Sequence, residues 1–294
     1  MIESKSLGSR LFDIINYLLL IILSLIFLYP MWYVLVGSFS NPQQLFVFRG
    51  FLWKPLGFST LGYEAVFSNP NVGIGYMNTI FYVVCGTALN MLFSCLGAYT
   101  LSRQNLMWKK LFTLLVVFTM YFGGGMIPTF LVVKNIGLYN SRFAVILPGL
   151  VNTWNMIVMR TSFRSIPVSL EESARLDGAG EFTILFRIIV PCAKATMAVL
   201  ILYYAVGHWN SWFDAMLYLQ DRKKFPLQLF LREILLISIN NAAAGGTGDA
   251  SDSLYLDTLI KYALIIVSTV PILCIYPFAQ KYFMKGVMMG SVKE

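Results

Sequence analysis

Long stretches without a single Asp, Glu, Lys or Arg alternate along the chain with short polar clusters. The uncharged stretches cover residues 14–48, 65–102, 111–133, 143–159, 195–213 and 262–280. Each reaches or approaches the roughly 17 to 25 residues that a helix needs to cross a hydrocarbon core about 30 Å thick. The pattern predicts an all-α membrane protein with six transmembrane helices, at about 12–37, 75–101, 111–133, 142–160, 193–217 and 258–281. All six belong to a single transmembrane domain covering residues 1–294. Barrel strands are excluded because the runs lack apolar/polar alternation, and a lone apolar segment in lipid must bond its own amides.

Two features modify this pattern. Gly123-Gly124-Gly125 followed by Pro128 interrupts the third run, and each glycine weakens a helix by about 1 kcal/mol relative to Ala. A bend or unwound turn lining a translocation path is expected there, with close helix packing as the competing explanation. The first run starts near Lys5 and Arg10, like a signal peptide, but stays apolar from Leu18 to Val36. A cleavable h-region is about 7 to 15 residues long, so this run is expected to remain as an anchor.

Composition agrees with the membrane reading. The 294 residues are 57% hydrophobic and 12% charged, with mean hydropathy +0.69, against about 25% charged in soluble domains. The net charge of +8 gains its meaning from position, because cytoplasmic loops are enriched in Lys and Arg. Arg103, Lys109 and Lys110 mark one loop, Arg160, Arg164, Arg175, Arg187 and Lys194 another, and Lys281, Lys285 and Lys293 the tail. In a six-helix chain these lie on one side, which puts both termini in the cytoplasm and 40–74, 134–141 and 219–256 outside. Arg222, Lys223 and Lys224 then fall on the outer side, in a long loop that this rule weighs lightly. Nucleic-acid binding is not expected; the basic charge reads as a topology and lipid-surface signal.

Several chemistries are missing. Proton- or ion-coupled carriers need ionisable groups at membrane depth, and the span centres hold none. His208, the only histidine, stands beside Trp209, Asn210, Ser211 and Trp212 and reads as a hydrogen-bonded packing residue in preference to a proton relay. No Gly-x-x-x-x-Gly-Lys-[Ser/Thr] occurs, so no P-loop supplies energy from within the chain. One histidine cannot build a multi-histidine metal site, and no Gly-x-Ser-x-Gly elbow is present. Cys85, Cys95, Cys192 and Cys274 lie in or beside apolar runs without metal-like spacing and read as small buried hydrophobes. Residues 240–253, rich in Ala, Gly, Asn and Asp, read as a flexible external loop.

The segment 167–191 is unlike the rest of the chain. Ser169 followed by Glu172 fits a capping box, and Arg175 lies four residues after Glu171, within reach of a same-face pair. Gly178 and Gly180 are placed to stop the helix at a bend. A second short helix is expected from Glu181, showing Phe182, Leu185, Phe186 and Ile189 on one face and ended or kinked by Pro191. Two short helices joined at a glycine bend offer an outside partner something to grip.

Glu172, Ser173, Ala174, Asp177, Gly178, Ala179 and Pro191 carry a resemblance to the Glu-Ala-Ala loop of permease subunits in bacterial ABC importers. Ser173 is the one departure, small for small. The segments Met126-Ile-Pro-Thr-Phe, Asn135-Ile-Gly-Leu, Leu147-Pro-Gly, Trp209-Asn-Ser-Trp-Phe and the tail from Gln280 to Lys293 resemble the maltose-type sugar permeases. Among these the chain looks most like subunits serving fragments of alginate or pectin. The resemblance implies a type I importer permease fold in the bacterial cytoplasmic membrane, with Glu171 to Ala179 as a coupling helix seated in a cytoplasmic ATPase subunit. It also implies a second, homologous permease, two ATPases that bind the ATP and magnesium, an extracytoplasmic sugar-binding protein, and a carbohydrate substrate. The chain itself is then a transport subunit without catalysis or cofactor. The tail 285–294 resembles the family's tail, which can reach between the ATPases.

A sugar path needs aromatic faces and amides or hydroxyls. Tyr121, Asn152, Trp154, Asn155, Tyr203, Trp209, Asn210 and Trp212 are the candidates, against the alternatives of an interfacial aromatic belt and helix-to-helix bonding by Asn. Two rival functions are an amino-acid or phosphate permease of the same superfamily and an ion-coupled secondary carrier.

Overall fold

The computed structural model describes residues 7–243 and 250–291, with side-chain surroundings for 8–236 and 255–277. Among the described residues the chain is helical, and the one strand-like pairing is the isolated bridge between Ser40 and Phe58. In order, α1 is Leu7–Ser38, α2 Pro42–Val47, α3 Leu61–Ser68 and α4 Pro70–Ser102. Next come α5 Lys109–Tyr121, α6 Met126–Asn135, α7 Phe143–Gly149, α8 Thr153–Arg164, α9 Val168–Leu176 and α10 Glu181–Cys192. The last four are α11 Lys194–Trp209, α12 Phe213–Tyr218, α13 Leu227–Ala243 and α14 Ala250–Ser291.

Among the described residues, three continuous stretches are long and apolar enough to cross a membrane: Gly8–Ser38, Pro70–Ser102 and Tyr255–Pro277. Three more crossings are available only as bent pairs: α5 with α6 at 112°, α7 with α8 at 54°, and α10 with α11 at 89°. The third run thus bends where its glycines lead one to expect, and the run 142–160 is bent as well. The first break falls on Gly123 to Gly125, where Gly125 has φ +85°. Among the described residues a Cβ on Gly123 would meet nothing within 4 Å, and one on Gly124 or Gly125 only Pro128 at 3.9 Å, so these glycines make no close helix packing there. The second falls at 150–152, after Pro148. In the third, Pro191 is followed two residues later by the sharp turn at Ala193, so the proline kinks the chain as expected.

The chain folds as two compact units, 1–69 with 233–269, and 70–232 with 270–294. In the first, none of the apolar window of α1 is buried within the chain, as befits a lipid-facing helix. Its C-terminal end packs Val36 with Leu45 and Leu52, and Tyr29 accepts a hydrogen bond from the Leu52 amide at 3.1 Å. Asn41 caps α2 through amides of Gln43 and Gln44, with Pro42 in the first turn where no amide is needed.

In the second unit α4 is the central post. Its apolar window is 39% buried, because small residues let neighbouring helices come close. A Cβ on Gly97 would meet the Met156 sulfur of α8 at 2.7 Å. One apolar cluster joins Met91, Cys95, Ala98 and Tyr99 of α4 to Met159 and Phe163 of α8 and Ile184, Leu185 and Ile189 of α10. A second joins Tyr82 to Val145, Ile146, Ala215, Leu219, Phe225 and Phe230. The segment read as the external loop 219–256 differs from expectation in containing α13, whose apolar residues Leu227, Leu229 and Phe230 are buried. Of the flexible stretch expected at 240–253, residues 244–249 lie outside the described residues and its two flanks are helical, at the end of α13 and the start of α14; the side chains of the tail 285–294 also lie outside the described residues.

Candidate functional site

The segment 167–191 folds as two short helices joined at a glycine stop. α9 ends at Asp177, and Gly178 takes φ +81°. The Ala179 amide reaches back to the Ala174 carbonyl at 2.9 Å and the Gly178 amide to Arg175 at 3.0 Å, which is the Schellman closure that a C-terminal glycine permits. The capping box expected from Ser169 and Glu172 is not formed. α9 begins two residues earlier than that reading requires, with Pro167 as the cap and no side-chain bond.

The Glu171–Arg175 pair is absent too, because each finds a better partner. Glu171 is buried at 5% exposure and forms an ion pair with Arg103, from the loop that follows α4. Arg175 donates from Nη2 to Oε1 of Glu181 on α10 at 2.7 Å, bridging the bend. The other Glu181 oxygen accepts from the Tyr99 hydroxyl at 2.5 Å, and the Arg103 guanidinium lies 4.4 Å from the Tyr99 ring centre. The end of α4 thus holds both helices of the element, α9 through Arg103 and α10 through Tyr99. The loop carrying Arg103 is itself pinned, since Lys109 donates to the Arg103 carbonyl at 2.6 Å and Arg160 to that of Leu101 at 3.0 Å.

Burial pushes the Arg103 pKa below its ordinary value, while Tyr99 and Glu181 oppose the shift; a guanidinium stays charged regardless. Sequence reasoning misses Arg103 and Tyr99 as partners of this segment. In the sequence Arg103 reads only as a topology marker, and nothing local connects it to Glu171.

The outward side of the element is different. Glu172, Ser173 and Asp177 are exposed, and Glu172 has no hydrogen bond or ion pair among the described residues. Leu176 is 89% exposed and Phe182 71%. Ala174 and Ala179 turn inward onto the apolar cluster. The expected apolar face of α10 is half right: Leu185 and Ile189 are buried together with Ile184, while Phe182 and Phe186 point away. A π-turn over Leu185–Ile189 shifts the register of the helix and separates the four.

The path candidates do not form one site. Tyr203, Trp209 and Asn210 line a cavity of about 630 Å³ together with Val83, Ile272, Ile275 and Tyr276. Tyr276 carries no signal in the sequence, as it stands in an apolar run with no distinguishing neighbour. Asn155 is buried and its amide donates to the Asn152 side chain at 3.0 Å, so Asn152 serves as the cap of α8. Trp154 and Tyr121 are exposed apart from this cavity. Trp212 packs beside the second apolar cluster.

His208 behaves as a packing residue. Its Nε2 lies 2.6 Å from Oδ1 of Asn90, whose Nδ2 donates to the carbonyls of Gly149 at 2.8 Å and Leu150 at 2.7 Å. Ser94 and Tyr204 share a 2.7 Å hydrogen bond, and Tyr204 accepts from the Asn152 amide at 3.3 Å. The backbone groups freed by the break between α7 and α8 are thereby satisfied inside the bundle, as a broken span requires.

No protein-family model matches the chain. It is 42% identical over 289 residues to the polygalacturonan/rhamnogalacturonan transport system permease protein YtcP of Bacillus subtilis, covering 97% of this chain and 99% of that one. A solved bacterial ABC transporter involved in the import of the acidic polysaccharide alginate matches with TM-score 0.85 and 34% identity, over 95% of this chain and 98% of that one. A second solved alginate ABC transporter, in complex with an alginate pentasaccharide-bound periplasmic protein, shares the fold at TM-score 0.60 and 19% identity, over 94% and 96%. At 42% identity to one such permease over nearly its whole length, and with its fold matching that of an alginate importer, the chain belongs to the family of sugar ABC transporter permeases, membrane-embedded transport subunits and not enzymes.

Proposed function

We propose that this permease passes an oligosaccharide through the bacterial cytoplasmic membrane and takes its energy from a cytoplasmic ATPase seated on the outward side of α9 and α10. The observation that carries this reading is the division of labour between adjacent glutamates. Glu171 is turned inward and neutralised by Arg103, while Glu172 is exposed, as are Leu176 one turn on and Phe182 on α10. Large apolar side chains next to a charge on a polar surface mark a place where another polypeptide docks. In this reading Glu172 faces a basic residue of the ATPase, and ATP and magnesium are held by that subunit.

The complex then contains a second, homologous permease, two ATPases and an external binding protein that delivers the sugar, with both termini of this chain in the cytoplasm. Each permease supplies half of the path. The cavity at Tyr203, Trp209, Asn210 and Tyr276 is this chain's contribution, with aromatic faces for sugar rings and one amide for hydroxyls. Access alternates, outward when the ATPases close on ATP and inward after hydrolysis.

Glu172→Lys in the reconstituted complex tests the coupling contact. Uptake is expected to fall at least tenfold while the subunits still co-purify. Wild-type uptake by that variant refutes it, and so does uptake that survives ATP depletion.

A further inference from the structure

Two helix ends meet at the proposed cytoplasmic face, beside the segment 167–191. α5 and α8 pack antiparallel: the hydroxyls of Thr119 and Thr153 lie 3.4 Å apart, and at the other end Lys109 and Arg160 converge on the last turn of α4. Lys109 donates to the Arg103 carbonyl at 2.6 Å and Arg160 to that of Leu101 at 3.0 Å. Both cations are thereby spent on closing α4, whose terminal carbonyls need such partners.

Two more cations stand at the same corner with nothing to hold. Lys110 follows Lys109, and Arg164 lies one turn beyond Arg160. Both are exposed, and among the described residues neither has a hydrogen bond or an ion pair. The charge of Arg164 acts on Lys109 and on Arg160, so the three lie within electrostatic reach. Residues 102–112 and 153–166 hold these four cations and Arg103, and no acid. The segment 167–191 brings Glu171, Glu172, Asp177 and Glu181, but Glu171 is taken by Arg103 and Glu181 by Arg175. Glu172 lines the same cleft as Arg164 without pairing with it. Topology explains why cations gather on this side; it does not require that two be left unpaired at one junction between spans.

The same corner is apolar toward the membrane. Met107 is 76% exposed and Trp108 65%, and Leu111, Phe112 and Leu115 in the first turns of α5 are exposed as well. An indole at headgroup depth above an apolar helix suits a lipid, whereas a free anion in water gains nothing from it. The first turn of α5 has no side-chain cap, so the helix end adds to the positive field.

We propose that Lys110 and Arg164, flanked by Trp108, hold the phosphate of an anionic phospholipid from the inner leaflet, with its acyl chains along the apolar side of α5. Basic pockets between spans on the cytoplasmic side are suited to such headgroups. The inference rests on the proposed orientation and adds a lipid ligand next to the segment 167–191.

The test uses the whole complex with its ATPases, purified in detergent and offered phosphatidylglycerol and phosphatidylcholine in equal amounts, with retained lipid counted by native mass spectrometry. Wild type is expected to retain phosphatidylglycerol roughly tenfold over phosphatidylcholine, and the double variant Lys110→Gln with Arg164→Gln to lose most of that preference, since each Lys or Arg near the headgroups contributes to it. Lys110→Arg with Arg164→Lys should keep it. No preference in wild type, or an unchanged one in the Gln double variant, overturns the proposal. Inorganic phosphate that displaces the lipid at equal concentration also overturns it, making the corner a free-anion site. So does loss of the ATPases alone from the double variant, which would make the corner part of their seat. If the double variant is not recovered at all, Lys110→Gln decides, an unchanged preference counting against the site. Orientation is read separately, from Lys110→Cys in a protein whose four native cysteines are replaced by Ser, with labelling by an impermeant maleimide expected only in inverted vesicles. Labelling only in right-side-out vesicles sinks the inner-leaflet assignment together with the orientation, whereas a missing lipid preference with cytoplasmic labelling sinks the site and leaves the importer reading standing.

Discussion

Arg103 and Glu171 form an ion pair in which the glutamate is almost wholly buried, and it fastens the segment 167–191 to the end of α4, not to its neighbours in sequence. Taking one partner from a buried pair leaves an uncompensated charge, a loss of about 3–5 kcal/mol in measured cases. Glu171→Gln and Arg103→Met are each expected to lower the thermal midpoint of the purified complex and to reduce sugar moved per ATP hydrolysed. The exchange of the two residues, Arg103→Glu with Glu171→Arg, should recover part of both. Equal stability of the single variants and wild type would show that the pair holds nothing.

The bend at Gly178 adds a backbone requirement to that ionic one. With φ +81° the position is left-handed, where an L-residue with a Cβ loses about 1–2 kcal/mol. A Cβ there would meet no atom within 4 Å, so the effect is conformational and not steric crowding. Gly178→Ala is expected to lower coupling modestly, Gly178→Val more, and Gly178→Asn least, since Asn tolerates this region. Uptake measured across the three in membrane vesicles would check the order.

Much of the helical pattern was legible because lipid imposes it: uncharged runs of sufficient length have few other uses. The Schellman stop was readable from Gly178, and the bend in the third span from Gly123 to Gly125. What sequence could not reveal is where distant chain segments meet. Glu171 had an apparent partner four residues away, and local spacing has no means of ranking that partner against Arg103. The same holds for the second break. Pro148 and Gly149 mark a break in the run 143–159, but its 54° bend at 150–152 could not be foreseen, because the groups that make it tolerable, Asn90 and Tyr204, lie on α4 and α11.

That break yields a further prediction. Asn90 is 1% exposed and serves two backbone carbonyls and the His208 ring. Asn90→Leu would leave two carbonyls and a ring nitrogen, all only partly buried, without this partner, at up to about 1–3 kcal/mol each. The complex is expected to lose stability by several kcal/mol or to assemble poorly. Asn90→Asp keeps an acceptor for a protonated His208 but loses both donors, and should be intermediate. Differential scanning of detergent-purified complexes at fixed lipid content would rank them.

Gly86, one turn before Asn90 on α4, faces the same histidine. An added Cβ would fall onto the His208 ring, which is held in place by Asn90. Overpacking of this kind typically costs about 1–3 kcal/mol. Gly86→Ala is therefore expected to destabilise, in contrast to the usual gain from replacing a helical glycine with alanine. If the clash with the imidazole is the cause, His208→Ala should relieve it: the double variant would be more stable than the sum of the two single losses, a coupling of the size that contacting residues show. Additive losses in the double-mutant cycle would place the strain elsewhere on α4.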